Sequence, residues 1–229
     1  MIKLADFIYV LILVLITSAC NSHPKANAAR KNDEPVKAEQ NMNGNIVVFG
    51  NSLTAGYGLD DPSDAFPSVL QRKIDSAHFP YKIVNAGVSG ETTSGGNGRI
   101  DWILRQHMSV FILELGANDG LRGIPINETR KNLQHIIDKV KSTYPHAKII
   151  LAGMQVPPNM GQQYASDFRK TFSDLSRQNH VELIPFLLEG VGGVPNLNQR
   201  DGIHPNKEGA RIVADNVWKV LKNDLEANP

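Results

Sequence analysis

The chain has 229 residues, of which 41% are hydrophobic and 21% are charged, and its formal net charge is +1 at pH 7. This length suits one domain with a sizeable core rather than two. The near-neutral charge, without a dense basic stripe, argues against a nucleic-acid-binding protein. The single cysteine, Cys20, excludes an internal disulfide and a cysteine-based metal cluster.

The N-terminal segment has the pattern of an export signal. Residues 7–16 form an apolar run that is shorter than the roughly 20 residues of a membrane-spanning helix. Small residues then precede Cys20, as in bacterial lipoprotein signals that are cut before an acylated cysteine, although Thr17 stands where those signals usually carry an aliphatic residue. We therefore predict a signal peptide over residues 1–19 and lipid attachment at Cys20.

The alternative for this segment is a plain signal peptide, cut near Ala19 or at residues 26–28. Either reading predicts an exported protein, periplasmic or anchored in the cell envelope as a lipoprotein. Residues 20–43 are polar and nearly free of large apolar side chains, so they cannot offset the entropy of ordering and are expected to form a flexible tether. The folded domain is predicted over residues 44–225.

Within the domain, short apolar runs alternate with amphipathic helical patterns. Strands are predicted at residues 46–49, 82–84, 110–115, 148–151 and 181–184. Helices are predicted at residues 66–74, 127–142, 164–178 and 205–225, with a shorter one at 100–106 behind a glycine-rich segment. Asn127 is the expected N-cap of one helix, and Glu114 inside an apolar strand is expected to find a polar partner. Continuous apolar strands predict an α/β fold, a three-layer α/β/α sandwich around a parallel five-stranded sheet.

Three strands are followed by residues that suit acyl transfer at the carboxyl edge of the sheet, where ligands bind in such folds. Ser52 follows the first strand directly behind Gly50, and a helical turn after it would point N–H groups at a substrate. Gly87 after the second strand offers an exposed N–H, and Asn118 after the third offers a side-chain amide, which are two donors for an oxyanion. Taken singly, each segment also fits a helix cap or a turn.

The fourth segment lies just before the last predicted helix. Asp201 and His204 are three residues apart, with a glycine between them and Pro205 behind. This spacing lets the carboxylate meet one imidazole nitrogen and leaves the other to activate Ser52. The structural alternative is an N-capping Asp or His.

Together these segments resemble the SGNH hydrolase superfamily, which is named for Ser, Gly, Asn and His in four successive blocks. The matching residues are, in chain order, Ser52, Gly87, Asn118 and His204, with Asp201 as the acid of the last block. The resemblance extends over residues 46–209. Residues 52–58 and 85–90 are most similar to the branch of multifunctional periplasmic thioesterase/lysophospholipase and arylesterase enzymes.

The resemblance implies a flavodoxin-like fold that needs no cofactor and no metal. It also implies a serine esterase that hydrolyses carboxylic esters or thioesters through an acyl-enzyme, with Ser52, His204 and Asp201 as the triad. The oxyanion hole would comprise the N–H groups of Ser52 and Gly87 and the amide of Asn118. The first block usually reads Gly-Asp-Ser-Leu, whereas Asn51 here lacks the negative charge. We expect activity to survive and the rate and pH optimum to change.

Two other functions remain open from the sequence. The same fold serves carbohydrate O-acetyl esterases, and a catalytically inactive anchored binding module would retain the fold while Asn51 marked the loss of activity. The expected partners are an acyl substrate and a membrane reached through the lipid anchor, with no nucleic acid; the sequence leaves the oligomeric state open. Loops at residues 156–160 and 186–198 should border the site, and their apolar side chains either cover an acyl chain or complete the core.

Overall fold

The computed structural model describes residues 44–226, so the predicted signal peptide, Cys20 and the predicted tether lie outside the described part. Five strands form one sheet in the order β2-β1-β3-β4-β5, and every neighbouring pair is parallel. Their bounds are Gly44–Gly50 for β1, Tyr81–Gly87 for β2, Val110–Glu114 for β3, Lys148–Ala152 for β4 and Glu182–Ile184 for β5. The predicted parallel five-stranded sheet is therefore confirmed.

Seven α-helices are described in this part of the chain. They are Ser52–Ala55 (α1), Phe66–Ser76 (α2), Thr93–Ile103 (α3), Ala117–Leu121 (α4), Ile126–Thr143 (α5), Gln162–Asn179 (α6) and Lys207–Glu226 (α7). Helix α2 packs against α7, while α5 packs against both α3 and α6. The helices thus form two layers around the sheet, which confirms the three-layer α/β/α sandwich. No helix within residues 44–226 is long and apolar enough to cross a membrane.

The two central strands account for the core of the sandwich. Residues 46–49 of β1 and 111–113 of β3 are fully buried. Their apolar runs are continuous because helices cover both faces of a parallel sheet, so neither face has a solvent side that calls for polar residues. The carboxyl ends of β1, β2 and β3 lie side by side, since Gly50 is aligned with both Gly87 and Glu114.

Several predicted element boundaries differ from the structure. The glycine-rich segment is helical, because α3 begins at Thr93 and not near residue 100. A Cβ at Gly96 would clash with Leu115 and Phe49, so this glycine lets the helix lie close to the sheet. Asn127 is not a cap, since α5 begins one residue before it.

The start of the last helix and one short helix also differ. Helix α7 begins at Lys207, and Asn206 caps it by accepting hydrogen bonds from the N–H groups of Glu208 and Gly209, both at 3.0 Å. Helix α4 was not predicted, because its Asn, Asp and Gly residues are typical of turns.

Candidate active site

Ser52 is the first residue of α1 and stands directly behind the end of β1. Asn51 caps this short helix, since its Oδ1 accepts the Leu53 N–H at 3.0 Å. A Cβ at Gly50 would collide with Thr54 and Glu114, so only glycine permits the tight passage from strand to helix. Ser52 is therefore held at the carboxyl edge of the sheet, and its own backbone forms the N-terminal turn of α1.

The structure brings Ser52, His204 and Asp201 together in one hydrogen-bonded chain. His204 Nε2 lies 2.8 Å from Ser52 Oγ, and His204 Nδ1 lies 2.7 Å from Asp201 Oδ2. Asp201 Oδ1 also accepts the N–H groups of Ile203 at 2.9 Å and His204 at 3.0 Å. These bonds lower the pKa of Asp201 to about 2, and the bond from the His204 side chain has the largest effect. An anionic Asp201 favours the tautomer with hydrogen on Nδ1, which leaves Nε2 as an acceptor for the serine proton.

The loop that carries His204 is tied to the serine segment, although 152 residues separate the two side chains in sequence. Gln199 N–H donates to the His204 carbonyl at 2.7 Å, and Gln199 Nε2 donates to the Tyr57 carbonyl at 2.7 Å. The Tyr57 ring lies 4.8 Å from the His204 ring, centroid to centroid. These contacts fix the imidazole against the turn that follows α1.

Asn118 lies in α4, the short helix that follows the carboxyl end of β3. Its Nδ2 donates to the Glu91 carbonyl at 2.9 Å, which places this amide beside the loop after β2 and leaves one N–H for another acceptor. The neighbouring Asp119 is fully buried and accepts the Thr93 N–H at 2.8 Å. The sequence predicted Asn118 as an oxyanion donor, with a turn as the alternative, and gave Asp119 no role; in the structure Asp119 joins α4 to α3 and so positions Asn118.

Gly87 lies at the end of β2, and its N–H donates to Asn85 Oδ1 at 3.0 Å. A Cβ at Gly87 would collide with the backbone of Ala55, so the glycine allows β2 to approach α1 closely. Its predicted role as an oxyanion donor stays a prediction. Three residues further on, exposed Gly90 has φ of +79°, and its carbonyl accepts Arg122 Nη2 at 3.0 Å, while the carbonyl of the next residue, Glu91, accepts the Asn118 amide. Gly90 is therefore a second candidate donor, and the repeated glycine in this loop was the available sequence signal.

Four large apolar side chains that are exposed adjoin these residues in sequence. Tyr57, Val88, Leu121 and Ile203 are between 40 and 55% exposed. A small pocket beside Ser52 and His204 is also mainly apolar, with Leu53, Phe66 and Val213 among its lining residues. The lining of this pocket thus suits a substrate with an apolar part better than a fully polar one.

The loop at residues 186–198 contributes less to these surroundings than its sequence suggested. Leu187 and Val191 are fully buried in the hydrophobic core, and partly buried Leu188 packs against it. This placement favours the interpretation in which these side chains complete the core. Within residues 44–226, no group of three or more His, Cys, Asp or Glu side chains is arranged to hold a metal ion.

The model of the GDSL-like lipase/acylhydrolase family matches residues 48–212. Over 178 residues the chain is 37% identical to Esterase TesA of Pseudomonas aeruginosa, covering 77% of this chain and 87% of that protein. It is 36% identical to the thioesterase 1/protease 1/lysophospholipase L1 of Escherichia coli K12, covering 77% and 83%. A crystal structure of TesA matches with a TM-score of 0.75 at 37% identity, covering 78% and 98%. The chain therefore belongs to the GDSL-like lipase/acylhydrolase family and is an SGNH-type ester hydrolase.

Proposed function

We propose that this chain hydrolyses carboxylic esters or thioesters through an acyl-enzyme on Ser52, with His204 as general base and acid and Asp201 as the residue that orients it. The observation that carries the proposal is the unbroken contact from Ser52 Oγ through the imidazole to Asp201, at 2.8 and 2.7 Å. A serine hydroxyl is a weak nucleophile without an adjacent base, and this geometry supplies one.

In the first half of the reaction, Ser52 Oγ attacks the acyl carbonyl carbon while His204 Nε2 takes the hydroxyl proton. The resulting imidazolium is stabilised by anionic Asp201. His204 then gives this proton to the departing alcohol or thiol, and the acyl–enzyme bond remains on Ser52. Water attacks that bond with the same help from His204, which releases the acid and returns the proton to Ser52.

The oxyanion that forms on the carbonyl needs donors near Ser52. We assign the Ser52 N–H at the start of α1 and the free N–H of the Asn118 amide to this task. The third donor comes from the loop after β2, either Gly87 as the sequence predicts or Gly90, which directly precedes the residue whose carbonyl accepts the Asn118 amide. Each such donor contributes roughly 10²–10³ in rate in serine hydrolases.

For the acyl group we propose a medium or long apolar chain. Four exposed side chains offer apolar surface to such a chain: Tyr57, whose ring lies 4.8 Å from that of His204, and Val88, Leu121 and Ile203, which stand near the predicted site residues in sequence. The names of the relatives, an esterase and a thioesterase/lysophospholipase, are in keeping with this substrate class. An acetylated carbohydrate would leave this apolar surface uncovered.

Hydrolysis of p-nitrophenyl esters from acetyl to palmitoyl by the full chain tests this proposal. We expect a rate that peaks at medium or long chains and disappears in Ser52→Ala, whereas the matched variant Ser142→Ala, in an exposed stretch of α5, keeps the parental rate. A peak at acetyl would instead support a carbohydrate O-acetyl esterase. If neither hydrolysis nor fluorophosphonate labelling depends on Ser52, the result would support the inactive binding module.

The N-terminal segment leads to a second part of the proposal. We propose that the protein is exported and held at a membrane by a lipid on Cys20, where the domain meets amphiphilic esters. Labelling of cells with radioactive palmitate should mark the parent and not Cys20→Ala. Unlabelled protein that is cut at residues 26–28 and recovered in the soluble periplasmic fraction would overturn the anchor and leave the esterase proposal intact.

A further inference from the structure

A second carboxylate lies directly behind the nucleophile, outside the triad. Glu114 ends β3 and is fully buried. Its Oε2 accepts the Asn51 N–H at 3.0 Å, the Thr54 N–H at 3.2 Å and the Thr54 hydroxyl at 2.7 Å. Its Oε1 accepts Asn51 Nδ2 at 2.7 Å. All four donors therefore belong to residues on either side of Ser52, so this carboxylate is bonded to the nucleophile segment and to nothing that forms the triad.

These bonds decide how the Asn51 side chain faces the serine. With Nδ2 on Glu114, Asn51 Oδ1 accepts the Leu53 N–H at 3.0 Å and lies 3.4 Å from Ser52 Oγ. The opposite orientation of the amide would point NH₂ at the Leu53 N–H and its oxygen at a carboxylate oxygen. Glu114 thus fixes an acceptor next to the reacting hydroxyl and holds the first turn of α1 in place.

The charge of Glu114 matters because all four groups that face it are donors. An ionised carboxylate accepts from all four, whereas a protonated one carries a hydrogen that only the Thr54 hydroxyl oxygen can accept, and only if that hydroxyl stops donating to the carboxyl. Burial raises the pKa of Glu114 to about 7, although the hydrogen bonds from Thr54 and Asn51 lower it. The charged groups on adjoining elements are Arg99, which donates to the Gly50 carbonyl at 3.3 Å and pairs with Glu91, and His204 on the far side of Ser52.

Asn51 explains why this carboxylate needs no shared proton. The family takes its name from Gly-Asp-Ser-Leu, and an aspartate at position 51 would oppose two carboxylate oxygens across the 2.7 Å contact now made by Asn51 Nδ2. Two carboxylates at that distance are stable only with one proton between them. The Asn51 amide supplies that hydrogen permanently, whatever the pH.

We propose that Glu114 is a positioning residue for Ser52, and that Asn51 lets it act as a free carboxylate where an aspartate would require a shared proton. The inference rests on the proposed role of Ser52 as the nucleophile. Glu114 touches no substrate and acts through Asn51 and the α1 turn. The working form is ionised, so activity falls as the pH drops and Glu114 takes up a proton, and no loss of a shared proton limits activity at alkaline pH.

The first test is Glu114→Gln in the full chain. The oxygen of the introduced carboxamide can still accept from the Asn51 N–H, the Thr54 N–H and the Thr54 hydroxyl. Its NH₂ group then faces Asn51 Nδ2, so two donors oppose each other. We expect kcat on a p-nitrophenyl ester to fall about tenfold to a hundredfold, with KM within about twofold of the parental value. The matched variant Glu128→Gln, on the exposed first turn of α5, should change neither.

Two further variants separate positioning from a merely structural role. N51D should stay active near neutral pH through a shared proton and should acquire a new loss of kcat at alkaline pH, where that proton leaves. N51D/E114Q exchanges the donor and the acceptor across the 2.7 Å contact. It should regain about tenfold in kcat over E114Q, without the alkaline loss of N51D. This comparison does not require E114Q itself to fold well.

The outcomes distinguish this inference from the proposed function. If the parent shows no Ser52-dependent hydrolysis, the proposed function fails and this inference fails with it. If the parent is active but E114Q keeps the parental kcat and pH profile, only the inference fails. It also fails if N51D shows no new alkaline loss and N51D/E114Q is no better than E114Q. Rescue in the double variant together with the alkaline loss in N51D would establish it.

Discussion

Two carboxylates flank the serine segment, and their surroundings move their pKa values in opposite directions. Asp201 accepts three hydrogen bonds on a partly exposed loop, and its pKa falls to about 2. Glu114 accepts four and is fully buried, and its pKa rises to about 7. The number of hydrogen bonds therefore does not decide the direction. Loss of water around Glu114 outweighs bonds that would otherwise favour its charge, while Asp201 gains its bonds at little cost in hydration.

The same contrast assigns the two groups to different tasks. Asp201 contacts His204 and stays charged throughout the neutral range, as the partner of a transient imidazolium must. Glu114 contacts only the backbone and side chains around Ser52, and its charge changes near neutral pH. One carboxylate thus serves the base and the other serves the nucleophile.

The largest expected effect is the loss of kcat when the charge of Asp201, the more exposed carboxylate, is removed. Asp201→Asn removes the charge that stabilises the imidazolium and allows the wrong His204 tautomer, so kcat should fall about 10³–10⁴-fold. Glu114→Gln should cost far less, because the His204 contact to Ser52 remains. Steady-state kinetics on one p-nitrophenyl ester at mildly alkaline pH measures both, with Asp138→Asn, at an exposed position of α5, as the control. A larger loss in Glu114→Gln than in Asp201→Asn would reverse the assignment of tasks.

A smaller effect is expected in the pH dependence of the unfolding free energy, to which the two carboxylates contribute with opposite signs. The folded-state pKa of Glu114 is raised from 4.5 to about 7, so its contribution to the unfolding free energy is complete below about pH 4.5 and is lost as the pH rises through about 7. The pKa of Asp201 is lowered from 3.8 to about 2, so its contribution is present above about pH 4 and is lost as the pH falls through about 2.

Thermal unfolding across this pH range measures the two contributions. The Tm of the parent relative to Glu114→Gln should decline from acid to neutral pH, while its Tm relative to Asp201→Asn should decline only at the acid end. The trends have opposite signs, so a common effect of pH on the fold cancels in the comparison. Parallel curves for the two variants would contradict the opposed pKa values.

Local pattern was sufficient for most of the fold. Each of the five strands was found from its apolar run, because burial on both faces leaves a continuous signal in a parallel sheet. The predicted ends of helices near glycine and proline agreed less well with the structure. The three glycines within α3 predicted a loop, yet at Gly96 close packing against Leu115 and Phe49 favours glycine inside the helix. Here a tertiary contact overrides the helix propensity.

For the site, the sequence identified the side chains that the structure then brought together. Ser52 was selected from its position after a strand, Asp201 and His204 from their spacing before the last helix, and the three lie in one hydrogen-bonded chain. The partners of Glu114 were not predictable, because an acidic residue inside an apolar strand does not indicate which segment will face it. Gly87 stays the predicted donor and Gly90 a second candidate, and the sequence did not show that the Gly87 N–H already has an acceptor in Asn85 Oδ1.

The family, the parallel sheet and the reactive side chains could be predicted from the sequence, because each depends on residue types within short segments. The packing of remote segments determined how these groups meet. It placed His204 on Ser52 across 152 residues, joined Asn118 to the loop after β2, and buried Glu114 beneath Asn51. Distance and desolvation, which set hydrogen bonding and pKa, arise only when remote segments meet; the sequence supplies the groups, and packing sets their charge and orientation.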